Sequence, residues 1–268
     1  MSTGGIAMPD QSFARFRGKV ALISGAADGI CRASAEIIAA EGGTVAAVDI
    51  NQELLDGAMA ALAEAGGGEH LAYCANSLKQ EDVDAVVADV VDRYGRVDIL
   101  INGVGGSTII ANAGATVDEL TMEEWQRVLD FNLSGTFLFC NAVVPHMKRQ
   151  GNGKIVNFAS IAGRGKSATS SSAYSAAKGG IIAMTTKLAL ELGPSGINVN
   201  AIAPSATLTN RIRRHWQHRS DEQRQQVLAG TPLRRIAEPI DQANVVCFLA
   251  SSHADFVTGV TIDVTGGA

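Results

Sequence analysis

Tyr174 and Lys178 stand four residues apart in the stretch "SSSAYSAAKGG". On a helix this spacing puts both side chains on one face, one above the other. A free tyrosine loses its proton near pH 10, and a neighbouring ammonium group stabilises the phenolate and lowers that pKa. The pair could therefore donate and accept a proton near neutral pH. By spacing alone, an ordinary pair on a helix surface explains the two residues better.

A second candidate site is the stretch "SGAADGIC", which follows the apolar run "KVALI". Gly25 would permit a tight turn between a strand and a helix, and Gly29 would let helix N–H groups approach a pyrophosphate. Cys31 stands where a third glycine is expected. Because that position serves helix packing, a small thiol there should cost only a slight shift. The alternative is an ordinary glycine-rich turn.

The charge of Asp49 bears on which dinucleotide this loop would hold. Asp49 ends the next apolar run, "TVAAVD", 20 residues after Gly29. A carboxylate there can accept hydrogen bonds from the ribose hydroxyls of adenosine. The same charge repels a 2′-phosphate, and residues 25–31 contain no basic side chain. The sequence thus favours NAD over NADP, the alternative being a simple turn residue at the strand end.

These residues fall at the ends of apolar runs that alternate with amphipathic stretches. Near-continuous apolar strands separated by helices predict a doubly wound α/β fold, a parallel sheet covered on both faces. One domain is predicted over residues 1–268, with a polar, Arg-rich substrate lid around 205–236. The predicted strands are 19–24, 44–49, 69–74, 97–102, 153–158, 197–202 and 260–264, and the predicted helices are 29–41, 52–65, 80–94, 121–150 in two pieces, 173–192 and 239–250.

The composition argues against several classes of partner. The chain has 268 residues, 46% of them hydrophobic, and a net charge of −5, which predicts a compact protein without a basic surface for nucleic acid. No apolar run reaches the roughly 18 residues of a membrane span, and the first 20 residues lack the apolar core of a secretory signal. Four scattered cysteines without a C-x-x-C pair indicate reduced thiols and a cytoplasmic protein.

Taken in order along the chain, the candidate residues resemble the short-chain dehydrogenase/reductase family. The resemblance runs from about residue 18 to the C-terminus. It implies a seven-stranded Rossmann sheet in the order 3-2-1-4-5-6-7 and a homotetramer. The motifs that carry it are Gly25-x3-Gly29, Asp49, "NGVG" (102–105), Asn132 in "FNLSGTF", Ser160, Tyr174-x3-Lys178, "NAIAPS" (200–205) and "TGVTIDVTGG".

The resemblance also implies roles for individual residues. Tyr174 would be the catalytic acid/base, Ser160 would polarise the substrate oxygen, and Lys178 would hold the nicotinamide ribose and tune Tyr174. Asn132 would open a helix backbone to hold a water in a proton relay. Contacts to NAD would come from Gly25, Asp28, Gly29, Ile30, Asp49, Asn76, Ser77, Asn102, Gly103, Tyr174, Lys178, Pro204, Thr207 and Thr209.

The chain also departs from the family pattern, mostly beside the cofactor. Cys31 replaces a glycine, Gly103 replaces an asparagine, Asn76 stands where an aspartate often contacts adenine, and Ser205 replaces a glycine. The interval from Ser160 to Tyr174 is one residue longer than usual, which leaves the shape of the substrate pocket open.

The combined prediction is hydride transfer between NAD(H) and a small-molecule secondary alcohol or ketone. One alternative is reduction of a 3-oxoacyl thioester of acyl carrier protein or CoA, although Asp49 argues against the NADPH that this usually takes. Another is a non-catalytic dinucleotide-binding sensor or scaffold, which would have no need of Tyr174.

His215 and His218 lack a third ligand nearby, so no metal site is predicted. An Arg cluster could attract an anionic substrate group, although an exposed charged lid explains it more simply: Arg211, Arg213, Arg214, Arg219 and Arg224.

Overall fold

A seven-stranded parallel sheet organises the computed structural model, which describes residues 14–268. The prediction about a secretory signal falls largely on residues 1–13, outside the described part. The strand order is β3-β2-β1-β4-β5-β6-β7, so the predicted doubly wound fold and its strand order are confirmed. The strands are β1 Val20–Ser24, β2 Thr44–Asp49, β3 Leu71–Cys74, β4 Ile99–Asn102, β5 Gly153–Phe158, β6 Ile197–Pro204 and β7 Thr261–Val264.

The central strands are apolar along their whole length because helices cover both faces of the sheet. Every residue of β1 and of β4 is buried, whereas the edge strand β3 alternates between partly buried and exposed residues. Near-continuous apolar runs are the expected signature of a parallel sheet covered on both sides. This is why the strands could be located from the sequence to within two residues at each end.

The helices divide into two layers. Helices α1, α2 and α9 contribute to the core on one face of the sheet, and α3, α5 and α6 contribute to the core on the other. The helices are α1 Gly29–Ala40, α2 Gln52–Ala65, α3 Gln80–Tyr94, α4 Met122–Leu129, α5 Gly135–Gln150, α6 Ser172–Leu192, α7 Asn210–Gln217, α8 Asp221–Ala229 and α9 Pro239–Ala250.

Helices α4 and α5 form one continuous helical rod, joined by a π-helical segment at Asp130–Ser134. A π segment widens the helix by one residue and often occurs at functional sites. By length and composition Met122–Gln150 could cross a membrane, a property that it shares with core helices of many α/β proteins. Here its residues Phe139, Val143 and Met147 are buried in the core beneath the sheet.

The predicted lid contains the two short helices α7 and α8, which the sequence analysis did not foresee. Thr209 caps α7 by accepting a hydrogen bond from Ile212 N at 3.5 Å. Ser220 and Gln223 form a reciprocal capping box at the start of α8. The capping signal "SDEQ" was therefore present in the sequence, but the polar composition of the stretch concealed the helices.

Candidate active site

A cleft of about 1860 Å³ runs along the carboxyl edge of the sheet and under the lid. It lies where β1 has β2 on one side and β4 on the other, the switch point at which doubly wound sheets bind ligands. Fourteen of the predicted site residues line it, namely Gly25, Asp28, Gly29, Ile30, Asp49, Asn76, Ser77, Gly103, Ser160, Tyr174, Lys178, Pro204, Thr207 and Thr209. Asn102 and Asn132 do not.

The loop between β1 and α1 leaves the end of the helix open to the cleft. Gly25 and Gly29 have φ values of 71° and 61°, which favour glycine. A Cβ on Gly29 would come within 2.7 Å of Thr209 Cγ2. Asp28 is the N-cap residue, yet its side chain makes no capping hydrogen bond to α1. The first N–H groups of α1 are thus left for a ligand, and the loop fits the pyrophosphate of a dinucleotide.

Asp49 lies at the carboxyl end of β2 and holds the glycine loop in place. Its Oδ2 atom accepts a hydrogen bond from Ala27 N at 3.2 Å, and its Oδ1 atom accepts one from Asn51 N at 3.1 Å. A carboxylate offers about four acceptor positions, so this side chain can still accept from a ribose hydroxyl. The structural and ligand-binding interpretations of Asp49 are therefore compatible.

Two departures from the family pattern, Cys31 and Gly103, lie in direct contact. A Cβ on Gly103 would overlap Cys31 Sγ and would come 3.0 Å from Ser24 O. The thiol therefore fills the space that a side chain at position 103 would need. Burial raises the pKa of Cys31 to about 12, so the thiol stays protonated and acts as a small packing group.

Asn102 and Asn132 lie behind the cleft and support its wall. Asn102 is buried, and its Nδ2 atom donates to Asn157 Oδ1 at 2.9 Å. Asn132 lies in the π-helical segment, where its Oδ1 atom accepts from Gly106 N at 2.8 Å and its Nδ2 atom donates to Gly106 O at 3.1 Å. The Asn102 side chain therefore supports the wall from inside the sheet, and the contact predicted between Asn102 and NAD stays a prediction.

Ser160, Tyr174 and Lys178 meet at the centre of the cleft. Ser160 follows β5 and caps a short 3₁₀ turn through a bond from Ala162 N of 3.2 Å. Tyr174 and Lys178 lie on α6, whose start is capped by Ser171. Lys178 Nζ donates to the backbone carbonyl of Phe158 at 2.7 Å, and it lies 5.8 Å from the centre of the Tyr174 ring.

The pKa values of this pair differ from the sequence expectation. Burial raises the pKa of Tyr174, and hydrogen bonding by Ser160 and the charge of Arg211 oppose that rise. Burial lowers the pKa of Lys178 to about 7, an effect that Arg211 reinforces and the Cys31 thiol opposes. The pKa of Tyr174 in this structure therefore moves in the direction opposite to the one predicted from the sequence, because burial outweighs the hydrogen bond with Ser160 and the charge of Arg211.

The residues after β6 close the cleft from the other side. Thr207 is buried, and its Oγ1 atom accepts from Gln242 Nε2 at 3.3 Å. Asn210 Nδ2 donates to Asp28 Oδ1 at 2.7 Å, which ties the start of α7 to the glycine loop. On the opposite wall, Asn76 Oδ1 accepts from Leu78 N at 3.0 Å. Of these bonds, the one from Asn210 to Asp28 holds the start of the lid against the cofactor side of the cleft.

The comparisons with known proteins agree with this geometry. A family model described as enoyl-(acyl carrier protein) reductase matches residues 25–268. The 3-oxoacyl-[acyl-carrier-protein] reductase FabG of Thermotoga maritima is 38% identical over 257 residues, covering 94% of this chain and 98% of that protein. The D-threitol dehydrogenase of Mycolicibacterium smegmatis is 36% identical over 255 residues, covering 94% of each. The chain belongs to the short-chain dehydrogenase/reductase family.

A solved structure extends the agreement to the whole fold. The 3-oxoacyl-[acyl-carrier protein] reductase of Brucella melitensis with bound NAD has a TM-score of 0.83 and is 33% identical, covering 98% of this chain and 97% of that one. The protein is thus an oxidoreductase of the short-chain dehydrogenase/reductase family, acting on CH–OH or ketone groups. The named relatives act on different substrate classes, so membership of this family leaves the substrate itself open.

Two groups of cleft residues escaped the sequence analysis. Ile50 and Leu54 are 68% and 44% exposed and line the cleft beside Asp49, where they can cover an adenine ring. Their signal was an apolar pair just after a strand-ending acid. The sequence identifies Arg211 only as one member of a cluster. Spacing does not show that, of these arginines, Arg211 contacts Thr108 in the cleft.

Proposed function

We propose that the protein is an NAD(H)-dependent dehydrogenase/reductase that interconverts a secondary alcohol and a ketone of low molecular mass. The observation that carries the proposal is the placement of Ser160, Tyr174 and Lys178 in the same cleft as the glycine loop and Asp49. A protein that only binds a dinucleotide needs the loop but has no use for a tyrosine at the cleft centre. This argues against a sensor or scaffold.

Each polar group then has a defined task. When bound, the nicotinamide ring accepts or supplies the hydride. The Tyr174 hydroxyl takes the proton of the alcohol during oxidation and returns it to the ketone oxygen during reduction. The Ser160 hydroxyl donates a hydrogen bond to the same substrate oxygen, and Lys178 holds the nicotinamide ribose. Asn132 keeps Gly106 in place and, in the π segment, supports a proton relay through water.

The preference for NAD over NADP is part of the proposal and rests on charge. Asp49 lines the cleft at the end of β2, and a 2′-phosphate on the adenosine ribose would meet its carboxylate. The structure of a 3-oxoacyl reductase relative with bound NAD is consistent with this cofactor. That relative also supports the second candidate function, 3-oxoacyl thioester reduction, because cofactor preference does not separate the two reactions.

We extend the proposal to the setting of the enzyme. The described residues 14–268 belong to the single domain proposed for residues 1–268, with residues 205–236 as a lid over the substrate. A homotetramer is supported by the exposed apolar residues Phe137 on α5 and Leu190 on α6, which are 52% and 75% exposed. A cytoplasmic location is supported by four cysteines that are all free thiols. The substrate is a small molecule.

Calorimetric titration and a substrate screen test the proposal together. NAD and NADP are titrated separately into the protein, and a panel of secondary alcohols, polyols and 3-hydroxyacyl thioesters is then followed by NADH absorbance. We expect NAD to bind at least tenfold more tightly, and small alcohols to be oxidised faster than thioesters. Equal affinities contradict the cofactor assignment, and turnover confined to thioesters selects the second candidate function.

A further inference from the structure

Arg211 differs from its neighbours on α7 in the direction that it faces. Thr209 packs against Gly29 of the glycine loop, and Asn210 donates a hydrogen bond to Asp28 of the same loop. Arg211 instead donates from Nη1 to Thr108 Oγ1 at 3.3 Å and lies over Gly106, where an added Cβ would come within 2.5 Å of Nη1. The start of α7 therefore contacts the cofactor side with two residues and faces the substrate side with the third.

Arg211 is also close to the catalytic centre. A Cβ on Gly105 would lie 3.0 Å from Lys178 Nζ, and Gly106 is the next residue. Because consecutive Cα atoms are 3.8 Å apart, the guanidinium lies within roughly 13 Å of the Lys178 amine. Lys178 and Arg211 thus approach two consecutive residues of one loop, so one substrate can contact Arg211 and extend to the reacting atoms beside Tyr174.

The other four arginines of the cluster each make a contact within the lid or with Glu238. Arg213 pairs with Glu238 at 2.7 Å, and Arg224 pairs with Asp221 at 3.3 Å. Arg219 also lines the cleft without an ion pair, but its guanidinium lies over the Trp216 ring at 5.8 Å. Arg214 donates to Asn210 O on its own helix. Across residues 14–268, no carboxylate forms an ion pair with Arg211, even though it lines the cleft.

Resting on the function proposed above, we infer that Arg211 binds the carboxylate of the substrate, which is a short hydroxy acid or the corresponding oxo acid. A guanidinium has five N–H donors in a planar fork that matches a carboxylate, and the bond to Thr108 uses one of them. Thr108 contacts Arg211, and Ser107 and Ser170 also line the cleft, so their hydroxyl groups suit a polar ligand. Arg211 thus determines specificity and takes no part in the proton transfer.

Matched acid and amide substrates test this inference. The probes are short hydroxy acids from lactate to 3-hydroxyhexanoate and the amide of each, oxidised with NAD by the full chain. We expect the wild-type protein to prefer an acid over its amide. Arg211→Gln should raise KM for that acid about ten- to hundredfold, the worth of a hydrogen bond to a charged group. Its kcat and its KM for the amide should change less than threefold.

Three further measurements exclude a merely structural effect. Arg214→Gln removes the same charge from the same helix outside the cleft, and we expect wild-type constants. Arg211→Lys keeps the charge without the fork and should recover part of the lost affinity. NAD titration of Arg211→Gln should give the wild-type affinity. A fall in NAD affinity with an unchanged acid preference would show that Arg211 binds the cofactor pyrophosphate, and it would overturn the inference.

Other outcomes separate this inference from the function on which it rests. NADH formation from uncharged alcohols alone, or equal kcat/KM for acids and amides, contradicts the inference and leaves the proposed function intact. An Arg211→Gln effect seen only with acyl-carrier or CoA thioesters also contradicts it, in favour of a carrier-bound substrate. No NADH formation from any alcohol contradicts both.

Discussion

The two halves of the cleft are built by different means. The cofactor half consists of strand ends and backbone in close approach, with φ of 71° and 61° at Gly25 and Gly29 and with Gly103 packed against Cys31. The substrate half consists of the lid helices α7 and α8, which contain no buried residue and are held by side-chain ion pairs and caps. In the cofactor half the shape of the backbone determines what can bind. In the substrate half, what a side chain can bind depends on which partner it already has.

Tyr174 lies between the two halves, and its loss should have the largest effect. Tyr174→Phe keeps the ring and its packing but removes the group that carries the proton. We expect turnover to fall by roughly a hundredfold or more, the usual contribution of a positioned acid/base, while NAD affinity stays within twofold. Steady-state kinetics and NAD titration of the same preparation measure both. Retention of most of the activity would remove Tyr174 from the mechanism.

Asp49 tests the cofactor half through charge, with the next largest effect. A 2′-phosphate facing this carboxylate should cost on the order of 2 kcal/mol, roughly thirtyfold in affinity. Asp49→Asn keeps an oxygen acceptor for the glycine loop and removes the charge, so the ratio of NADP to NAD dissociation constants should shrink about tenfold or more. Asp56→Asn, an exposed acid on α2, is the control and should keep the ratio. An unchanged ratio in Asp49→Asn would assign the preference to another group.

Much of the cofactor half could be predicted from the sequence, because its parts depend on local rules. Apolar runs located the strands, and the glycine spacing and Asp49 then followed from the strand ends. The opening of the helix at Asn132 was expected only from the family resemblance, and its π-helical form could not be predicted from the amphipathic pattern, which a change in backbone hydrogen bonding leaves unaltered. The selection of Arg211 from five arginines was equally out of reach, because it depends on the ion pairs, backbone hydrogen bond and aromatic contact that the others make in the folded protein.

The contact between Cys31 and Gly103 tests whether close packing determines the stability of the cofactor half. Gly103→Ala adds a methyl group where Cys31 Sγ lies, and overpacking of this kind typically costs about 1–3 kcal/mol of unfolding free energy. In the Cys31→Gly background the same change should cost less than half as much, because the space is then free. Cys31→Gly alone should change NAD affinity by no more than a fewfold, since the pyrophosphate is held near Gly25 and Gly29.

Urea denaturation of the four proteins in this double-mutant cycle gives the coupling between the two positions. Additive costs would show that the two departures from the family pattern are independent. A large gain in NAD affinity in Cys31→Gly would show instead that the thiol distorts the loop, and the cofactor half would then depend on side chains as the lid does.

The smallest expected effect is the contribution of Lys178 to the change in the free energy of unfolding with pH. Its pKa is about 7 in the folded protein and 10.5 for the free side chain, because burial disfavours the ammonium. Between these values the unfolded chain binds more protons than the folded one, so the free energy of unfolding should rise with pH, by about 1.4 kcal/mol per pH unit at most. Below about pH 6 both states are protonated and this contribution to the slope should vanish.

Urea denaturation of wild type and Lys178→Met between pH 6 and 8.5 measures this contribution as a difference. The range stops at pH 8.5 because three buried thiols affect stability above it. Burial raises the pKa of each to about 12 in the folded protein, namely Cys31, Cys140 and Cys247. At higher pH these thiols ionise first in the unfolded chain, which lowers the free energy of unfolding. We expect the rise with pH to be present in wild type and lost in Lys178→Met. Lys148→Met, an exposed lysine on α5, should keep the wild-type slope. Equal slopes in wild type and Lys178→Met would mean that Lys178 remains charged in the folded protein throughout this range, and its ammonium could then hold the ribose at every pH tested.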